Sequence, residues 1–277
     1  HFRHFALRCK VEPEDAVASA VKEVFQGLES FHAGAQLVSA EKVREALIPE
    51  DANERRKQQD AEEYLNKLLN LFTEKYKYEM FSGLMYDKRQ PIGQEVTTLI
   101  EYGRIEGELR VGEHHFHIHA LDVGNSLSVR EAMISMGVPE MVEYSGIPNG
   151  ATQTTYISEA PPIHVIQLKR FSYFNDTPLK DNKRVAFDTL LDIPGEGNVT
   201  NRYVLYGIIV HFGETVYSGH YFSYVNPCSS EYDYTTIAED CGSEQSLNEK
   251  RSNNWVCLDD RGVKKVSWDE VKSETEA

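Results

Sequence analysis

The residues best suited to chemistry are a histidine and an aspartate in the last quarter of the chain. His220 follows Gly219 at the start of a predicted strand, and Asp259 ends a later one that begins near Trp255. Glycine leaves space around the imidazole ring, and a carboxylate on a neighbouring strand can accept its Nδ1–H. We expect this bond to fix the tautomer of His220 and to leave Nε2 as a general base facing a nucleophile. A histidine near an aspartate is also a common structural pair, so the spacing alone leaves both roles open.

A second group of polar residues, the histidines at positions 114, 115, 117 and 119, suggests a metal site. Three of them, His115, His117 and His119, alternate along a predicted strand and would share one face. Zinc sites usually combine such histidines with a carboxylate or thiolate at a fixed spacing, which this segment lacks. We therefore expect a strand with a polar exposed face, and neither a metal nor another cofactor.

Helices are predicted in the first quarter of the chain. Apolar residues at helical spacing indicate one helix over residues 14–28 and a longer one over residues 58–75. A short helix follows Ser39 and ends before Pro49. The helix over residues 58–75 carries a broad apolar stripe, so we expect it to pack onto a core.

Strands are predicted after Phe81, where the spacing of apolar residues changes. Ser126 is expected to cap a short helix over residues 127–136. Residues 228–253 are rich in Ser, Asp, Glu and Asn, and we interpret them as a surface insertion. Helices followed by an antiparallel sheet predict an α+β fold. The predicted strands cover residues 96–102, 108–111, 115–121, 163–171, 185–187, 203–211, 220–225, 254–258 and 262–266.

The composition is that of a globular chain with an acidic surface. Its 277 residues include 29 basic and 44 acidic side chains, a net charge of −15. Such a charge disfavours nucleic acid and anionic membranes as partners and favours a basic partner or substrate. We expect no signal peptide, transit peptide or membrane-spanning segment, and a cytoplasmic or nuclear location. The chain begins with His1 rather than Met, so we expect it to be part of a longer protein.

Three motifs resemble, in the correct order, the boxes of the ubiquitin-specific proteases. QQDAEEYL at residues 58–65 resembles the box written QDAxEF, and IQLKRF at residues 166–171, followed by Lys180, resembles the LKRF strand. GHYFSY at residues 219–224, with the later Trp and Asp-Asp of residues 255–260, resembles the histidine box. The resemblance covers about residues 1 to 271. It implies a papain-like cysteine protease fold with a helical thumb (1–80), β-stranded fingers (81–160) and an antiparallel β palm (161–277).

This resemblance implies a deubiquitinase that hydrolyses the bond after the C-terminal glycine of ubiquitin. Its partners would be ubiquitin and ubiquitinated proteins. His220 would be the general base and Asp259 its orienting carboxylate. Asp260 would be a second acid that assists His220, although a solvated turn residue is an equal interpretation.

The resemblance also implies residues that bind the substrate. Asp60 and Glu63 would hold the arginine-containing tail of ubiquitin, and Tyr221 and Tyr224 would line the channel for its Gly-Gly terminus. Structural roles remain open for all four. Carboxylates are favoured in the first turn of a helix, and tyrosines pack in cores.

The cysteines do not follow the family pattern. The first family box, written GLxNxGNTCYxN, carries the nucleophile and has no match in this sequence. We interpret Cys9, Cys228 and Cys257 as structural or surface thiols, and we expect the nucleophile roughly ten to twenty residues before His1, at the start of a helix. This chain on its own is therefore expected to be inactive. Two alternatives stay open: a catalytically inactive ubiquitin-binding module, and a protease of a ubiquitin-like modifier.

The four cysteines also form no CxxC pair, which argues against a disulfide framework and a thiolate zinc site. The family often binds zinc through two such pairs at the tip of the fingers. The corresponding segments near residues 87–91 and 146–152 contain no cysteine. We expect the fingers to fold without the metal.

Overall fold

The change from helical to strand-like spacing near residue 81 coincides with a boundary between two units of the fold. One unit comprises residues 1–82 with 161–165, and the other residues 83–160 with 166–277. The subdivision into thumb, fingers and palm stays a prediction. The computed structural model describes residues 2–12, 14–29, 38–48, 60–92, 109–144, 147–174, 177–195, 199–215, 218–226, 254–260 and 262–275.

The first unit is helical. Its helices are α1 (Phe2–Arg8), α2 (Ala16–Glu29), α3 (Glu41–Leu47) and α4 (Ala61–Tyr76). The predicted helices correspond to α2, α3 and α4, whereas α1 is not among them. Buried residues from three of these helices form the core: Ala6, Ala18, Ala20, Val21, Leu69 and Phe72.

Asp15 joins the beginning of α2 to the end of α4. Its carboxylate accepts the backbone N–H of Ala18 at 2.9 Å and the hydroxyl of Tyr76 at 2.8 Å. The ammonium of Lys75 lies 3.1 Å from the same carboxylate. Burial by itself would raise the pKa of Asp15, but these bonds outweigh it and lower the pKa. The two helices are thus held by a buried, fully bonded charge as well as by apolar packing.

The second unit consists mainly of antiparallel strands. Two four-stranded sheets have the orders β2-β1-β5-β4 and β11-β12-β13-β14, and three further pairs are β3-β6, β7-β8 and β9-β10. The strands are β1 (Gly83–Pro91), β2 (Leu109–Phe116), β3 (Ile118–Asp122), β4 (Glu140–Tyr144), β5 (Ile147–Glu159), β6 (Val165–Lys169), β7 (Phe171–Phe174), β8 (Thr177–Lys180), β9 (Leu190–Pro194), β10 (Thr200–Val204), β11 (Gly207–Phe212), β12 (His220–Val225), β13 (Trp255–Asp259) and β14 (Gly262–Val266). Two helices, α5 (Val129–Met136) and α6 (Trp268–Thr275), complete the described part of this unit. Among the described helices, none combines the length and apolar character needed to cross a membrane.

The sheet that contains β12 packs against α6. Trp255 of β13 stacks on Trp268 of α6 with ring centroids 5.1 Å apart. Tyr224 and Val271 are fully buried beside them. This core anchors one end of β12 and β13, and His220 and Asp259 lie at the other end of these strands.

Several predicted elements differ in the structure. The strand over residues 115–121 is broken at His117, so His115 lies on β2 and the buried His119 on β3, and the three histidines do not share one strand face. The helix cap is Ser128 rather than Ser126, because the Ser128 hydroxyl accepts the N–H of Glu131 at 3.1 Å.

The predicted strand over residues 185–187 is reduced to a single bridge between Ala186 and Ser128. The strand expected over residues 203–211 is divided between β10 and β11. The strands over residues 220–225 and 262–266 are confirmed. The predicted strand over residues 96–102 and the insertion over residues 228–253 lie outside the described residues.

We predict that His119 makes the fold sensitive to acid. Burial, and then the charge of Lys169, lowers the pKa of His119 to about 4, whereas an unfolded histidine titrates near about 6.5. Because the folded pKa is the lower one, the stabilisation is complete above about pH 6.5 and is lost as the pH falls to about 4, a loss of about 3 kcal/mol. Denaturant unfolding of His119→Gln over this pH range should show a smaller loss of the free energy of unfolding than the wild type.

His115→Gln is the matched control, because His115 is exposed on β2. It should keep the pH dependence of the wild type. The same acid sensitivity in His119→Gln and in the wild type would contradict the assignment to His119.

Candidate active site

The pairing of β12 with β13 brings His220 and Asp259 together. Tyr224 faces Cys257 in this register, and Ser223 faces Leu258. Side chains alternate along a strand, so His220, Tyr224, Cys257 and Asp259 project from the same face. His220 Nε2 lies 2.5 Å from Asp259 Oδ1, and both side chains are about half exposed.

The ring nitrogen that meets Asp259 is not the expected one. The sequence pattern predicts that Nδ1 donates to the carboxylate and that Nε2 stays available, but Nε2 makes the contact. In the observed register Asp259 lies opposite Phe222, so its carboxylate approaches His220 diagonally across the sheet. Nε2 is the nitrogen farther from the backbone, and it can span this diagonal. The nitrogen left for a reacting group is therefore Nδ1.

The surroundings of His220 favour its protonated form. The hydrogen bond that the ring donates to Asp259 is the largest cause of its raised pKa. The charges of Asp259 and Asp260 raise the pKa further, against the opposing effect of burial. An imidazole that holds its proton more firmly is a better acceptor of a proton from a thiol.

Asp260 occupies a turn and also contributes charge. The pairing of Asp259 with Gly262 leaves a two-residue connection between β13 and β14, and Asp260 has a positive φ of 47°. Aspartate tolerates this left-handed conformation better than most residues, which explains its presence in a tight hairpin turn. Its charge raises the pKa of His220, so the turn role and the helper role are compatible.

The same three residues form the candidate metal cluster in the part of the chain that the structure describes. Ligand atoms of His220, Asp259 and Asp260 all lie within 4.8 Å of one another. The bond between His220 and Asp259 and the tight turn at Asp260 already account for this proximity.

The two tyrosines of the histidine box take different places. Tyr224 is fully buried, and its hydroxyl donates to Glu274 of α6. Tyr224 therefore takes the core-packing role that was its alternative interpretation, and its place in a channel for the Gly-Gly terminus stays a prediction. Tyr221 is half-buried on the opposite face of the sheet from His220, with its ring centroid 4.7 Å from that of His211.

Neither described cysteine has the properties of an activated nucleophile. Burial raises the pKa of Cys9, whose thiol donates to the carbonyl of Ala6 at 3.4 Å. Burial, with the charges of Asp259 and Glu274, raises the pKa of Cys257. A catalytic thiol needs a lowered pKa, so both positions suit structural thiols. Cys228 and Cys241 lie outside the described residues.

Asp60 and Glu63 lie at the N-terminus of α4. Asp60 is its N-cap and accepts the backbone N–H groups of Glu62 at 2.8 Å and Glu63 at 3.1 Å. Glu63 forms an exposed ion pair with Lys67 at 2.6 Å. The structural role considered for these carboxylates is thus observed. Glu62, which the sequence analysis did not single out, adds a third carboxylate whose pKa is raised by burial and then by the charges of Asp60 and Glu63.

Gly219 is required for a reason that the sequence does not reveal. A Cβ at this position would lie 2.4 Å from the carbonyl oxygen of Phe212 and 2.4 Å from His211 Nε2. The expected space around the His220 ring is therefore not the main reason for this glycine. Glycine is needed at position 219 because the end of β11, at His211 and Phe212, approaches this backbone too closely for a side chain.

Comparison with known proteins assigns the chain to a family. Residues 1–277 match the family model described as ubiquitin carboxyl-terminal hydrolase. The chain belongs to this family. The resemblance of its three motifs to the ubiquitin-specific proteases is thereby confirmed.

Two solved structures share the fold of this hydrolase domain. Both contain the SAGA DUB module of Ubp8, Sgf11, Sus1 and Sgf73, one bound to monoubiquitin and the other to ubiquitin aldehyde. The first has a TM-score of 0.70 and 19% sequence identity, over 98% of this chain and 59% of the matched chain. The second has a TM-score of 0.71 and 20% identity, over 98% and 61%. The expected α+β, papain-like fold is confirmed.

Curated relatives carry the same family name. Ubiquitin carboxyl-terminal hydrolase 17-like protein D of Mus musculus is 40% identical over 81 residues, 27% of this chain and 14% of the relative. Ubiquitin carboxyl-terminal hydrolase 23 of Arabidopsis thaliana is 24% identical over 201 residues, 62% of this chain and 22% of the relative. The segments that align with this chain thus cover 14% and 22% of the length of these two relatives, so the match spans only part of each.

We predict that Asp259 is the main cause of the raised pKa of His220. Asp259→Asn should lower the pKa of His220, because the bond to a carboxylate and its charge are both lost. Asp260→Asn should lower it less, because only a charge is removed and asparagine also tolerates a positive φ. Titration of the His220 ring by NMR measures both shifts. Asp269→Asn, an exposed carboxylate on α6, is the control and should leave the pKa unchanged.

Proposed function

We propose that the domain to which this chain belongs is a deubiquitinating cysteine protease that hydrolyses the bond after the C-terminal glycine of ubiquitin. The observation that carries the proposal is the bonded pair of His220 and Asp259, with Nδ1 of His220 left to react. Membership of the hydrolase family supports the reaction class. The nucleophile in this proposal is a cysteine outside this chain. In support of this, neither Cys9 nor Cys257, the two cysteines among the described residues, has a lowered pKa.

The proposed reaction begins with proton transfer from the thiol to Nδ1 of His220. Asp259 keeps the ring oriented and, with Asp260, stabilises the imidazolium that forms. The thiolate then attacks the carbonyl carbon of the terminal glycine and forms a C–S bond. As the C–N bond breaks, His220 returns its proton to the leaving amine. His220 next takes a proton from water, and the resulting hydroxide attacks the thioester carbonyl. As the C–S bond breaks, His220 returns this proton to the departing thiolate, and the released glycine carboxylic acid loses its proton to solvent.

Ubiquitin is the proposed substrate, and its basic tail is the proposed ligand of the α4 N-terminus. The related Ubp8 structures are described as bound to monoubiquitin and to ubiquitin aldehyde. The chain carries a net charge of −15, which attracts basic segments. Asp60, Glu62 and Glu63 place three carboxylates within one turn of α4. We propose a cytoplasmic or nuclear location for this activity.

We predict that turnover requires sequence outside this chain. The chain alone should not release the fluorophore from a fluorogenic ubiquitin conjugate, whereas the longer protein that contains it should. His220→Ala in the longer protein should lower the rate by roughly 10²- to 10⁴-fold, as expected for loss of general acid–base catalysis. Cys257→Ser is the control and should retain the rate.

Three outcomes would revise this proposal. Turnover by the chain alone that Cys9→Ser abolishes would make Cys9 the nucleophile. Ubiquitin binding without turnover in the longer protein would favour an inactive binding module. Turnover of a ubiquitin-like modifier, but not of ubiquitin, would change the substrate.

We predict that Asp60 and Glu63 contribute charge to ubiquitin binding in addition to capping α4. Asp60→Asn keeps a capping oxygen, so Asp60→Asn with Glu63→Gln should barely change the melting temperature. The same double variant should weaken ubiquitin binding by roughly 2- to 5-fold, the range of partly exposed ion pairs. Calorimetry with the longer protein measures both effects.

The matched control removes two other exposed charges from the same unit. Glu74→Gln with Glu79→Gln should leave binding unchanged, because these residues lie near the opposite end of α4. Unchanged binding of the Asp60 and Glu63 variant, together with a lower melting temperature, would show that these carboxylates serve only the helix.

A further inference from the structure

A lysine from another hairpin binds the segment that leads to His220. Lys180 is the last residue of β8, and its ammonium donates to the carbonyl oxygens of His211 at 3.1 Å and Gly213 at 2.5 Å. These two carbonyls lie at the end of β11 and in the connection that follows it. His220 begins β12 directly after this connection.

The two ends of the connection are in direct backbone contact. Phe212 pairs with His220 across the strands, and a Cβ on Gly219 would lie 2.4 Å from the Phe212 carbonyl oxygen. Gly213 has a φ of +150°, and a Cβ there would lie 2.8 Å from the carbonyl oxygen of Ser218. A shift of residues 211–213 therefore moves the backbone on which His220 stands.

The hydrogen bonds that Lys180 donates to these two carbonyls are charge-assisted. A charged donor to a carbonyl forms a shorter and stronger bond than a neutral pair does. Burial, and then the charge of Arg170, lowers the pKa of Lys180. The carbonyls of His211 and Gly213 are the acceptors that its partly buried ammonium finds in the fold. Loss of the ammonium would leave two carbonyls of the connection without this donor.

We propose that Lys180 is a positioning residue for the proposed hydrolysis, which fixes the connection between β11 and β12 and thereby sets the His220 ring against Asp259. The positioning role of Lys180 rests on the proposed deubiquitinase function at one point, which is that His220 is the general base. Lys180 acts through the backbone of His211 and Gly213 and does not touch the reacting atoms.

Lys180 is not among the groups that shift the pKa of His220 by direct charge. A nearby cation lowers the pKa of a histidine, whereas the pKa of His220 is raised by Asp259 and Asp260. Mechanical positioning and direct charge therefore predict opposite results when the charge is removed. Loss of positioning separates His220 from Asp259 and lowers the pKa of His220, while loss of a repelling charge raises it.

The first test uses this chain and needs no activity. NMR titration of Lys180→Met should show the pKa of His220 shifted down, towards its ordinary value. Lys183→Met is the matched control, because Lys183 also donates to two backbone carbonyls, those of Val123 and Gly124, on a loop that does not lead to His220. A pKa of His220 that is unchanged or raised in Lys180→Met would overturn the proposal.

The second test uses the longer protein and separates positioning from simple destabilisation. In Lys180→Met, kcat should fall by roughly 10- to 100-fold, the cost expected for a displaced catalytic group, while KM stays the same. Lys180→Arg should restore part of kcat, because it keeps donors at this position. A lower melting temperature with kcat retained would assign Lys180 a structural role only.

Two further outcomes remain informative. If Lys180→Met does not fold, Lys180→Gln keeps a neutral N–H donor group at this position and is tested in the same two ways. If the longer protein shows no hydrolysis at all, the proposed function fails, while the titration of His220 in this chain still decides the positioning role.

Discussion

The register between β12 and β13 is the constraint on which the candidate site depends. It places Trp255 and Tyr224 in the core and, at the other end of the same strands, Asp259 beside His220. A slip of one residue would turn Asp259 to the opposite face and expose Trp255. Full burial of a large apolar side chain contributes about 1.5–3 kcal/mol, whereas half-exposed ion pairs contribute little. The core therefore sets the register, and the geometry of the candidate site follows from it.

The connection between β11 and β12 fixes the backbone at the start of β12, from which the imidazole of His220 projects. Gly213 and Gly219 let two backbone segments approach more closely than any side chain would permit. The hydroxyls of Thr215 and Ser218 lie 3.1 Å apart across the same connection. Lys180, on the β7–β8 hairpin, binds two carbonyls at the start of this connection. The segment before His220 is therefore held by the β7–β8 hairpin as well as by the sheet that contains β11 and β12.

Asp60 and Asp260 each combine a backbone role with an exposed charge. Asp60 satisfies N–H groups at the start of α4, and Asp260 tolerates the left-handed turn between β13 and β14. Each also presents a carboxylate, one beside two further carboxylates of α4 and the other beside His220. A structural explanation for such a residue therefore does not exclude a functional one.

The sequence by itself determined the family, the positions of α2, α3 and α4, the strand that begins with His220, and the choice of His220 and Asp259 as candidate reactive residues. These features depend on periodicities and motifs that act over a few neighbouring residues. Only the tertiary structure decided that Nε2 meets Asp259, that Tyr224 is buried against Glu274, and that Lys180 binds the connection before His220. Those contacts join segments that are distant along the chain, and they depend on strand register and backbone approach, which no local pattern of residues encodes.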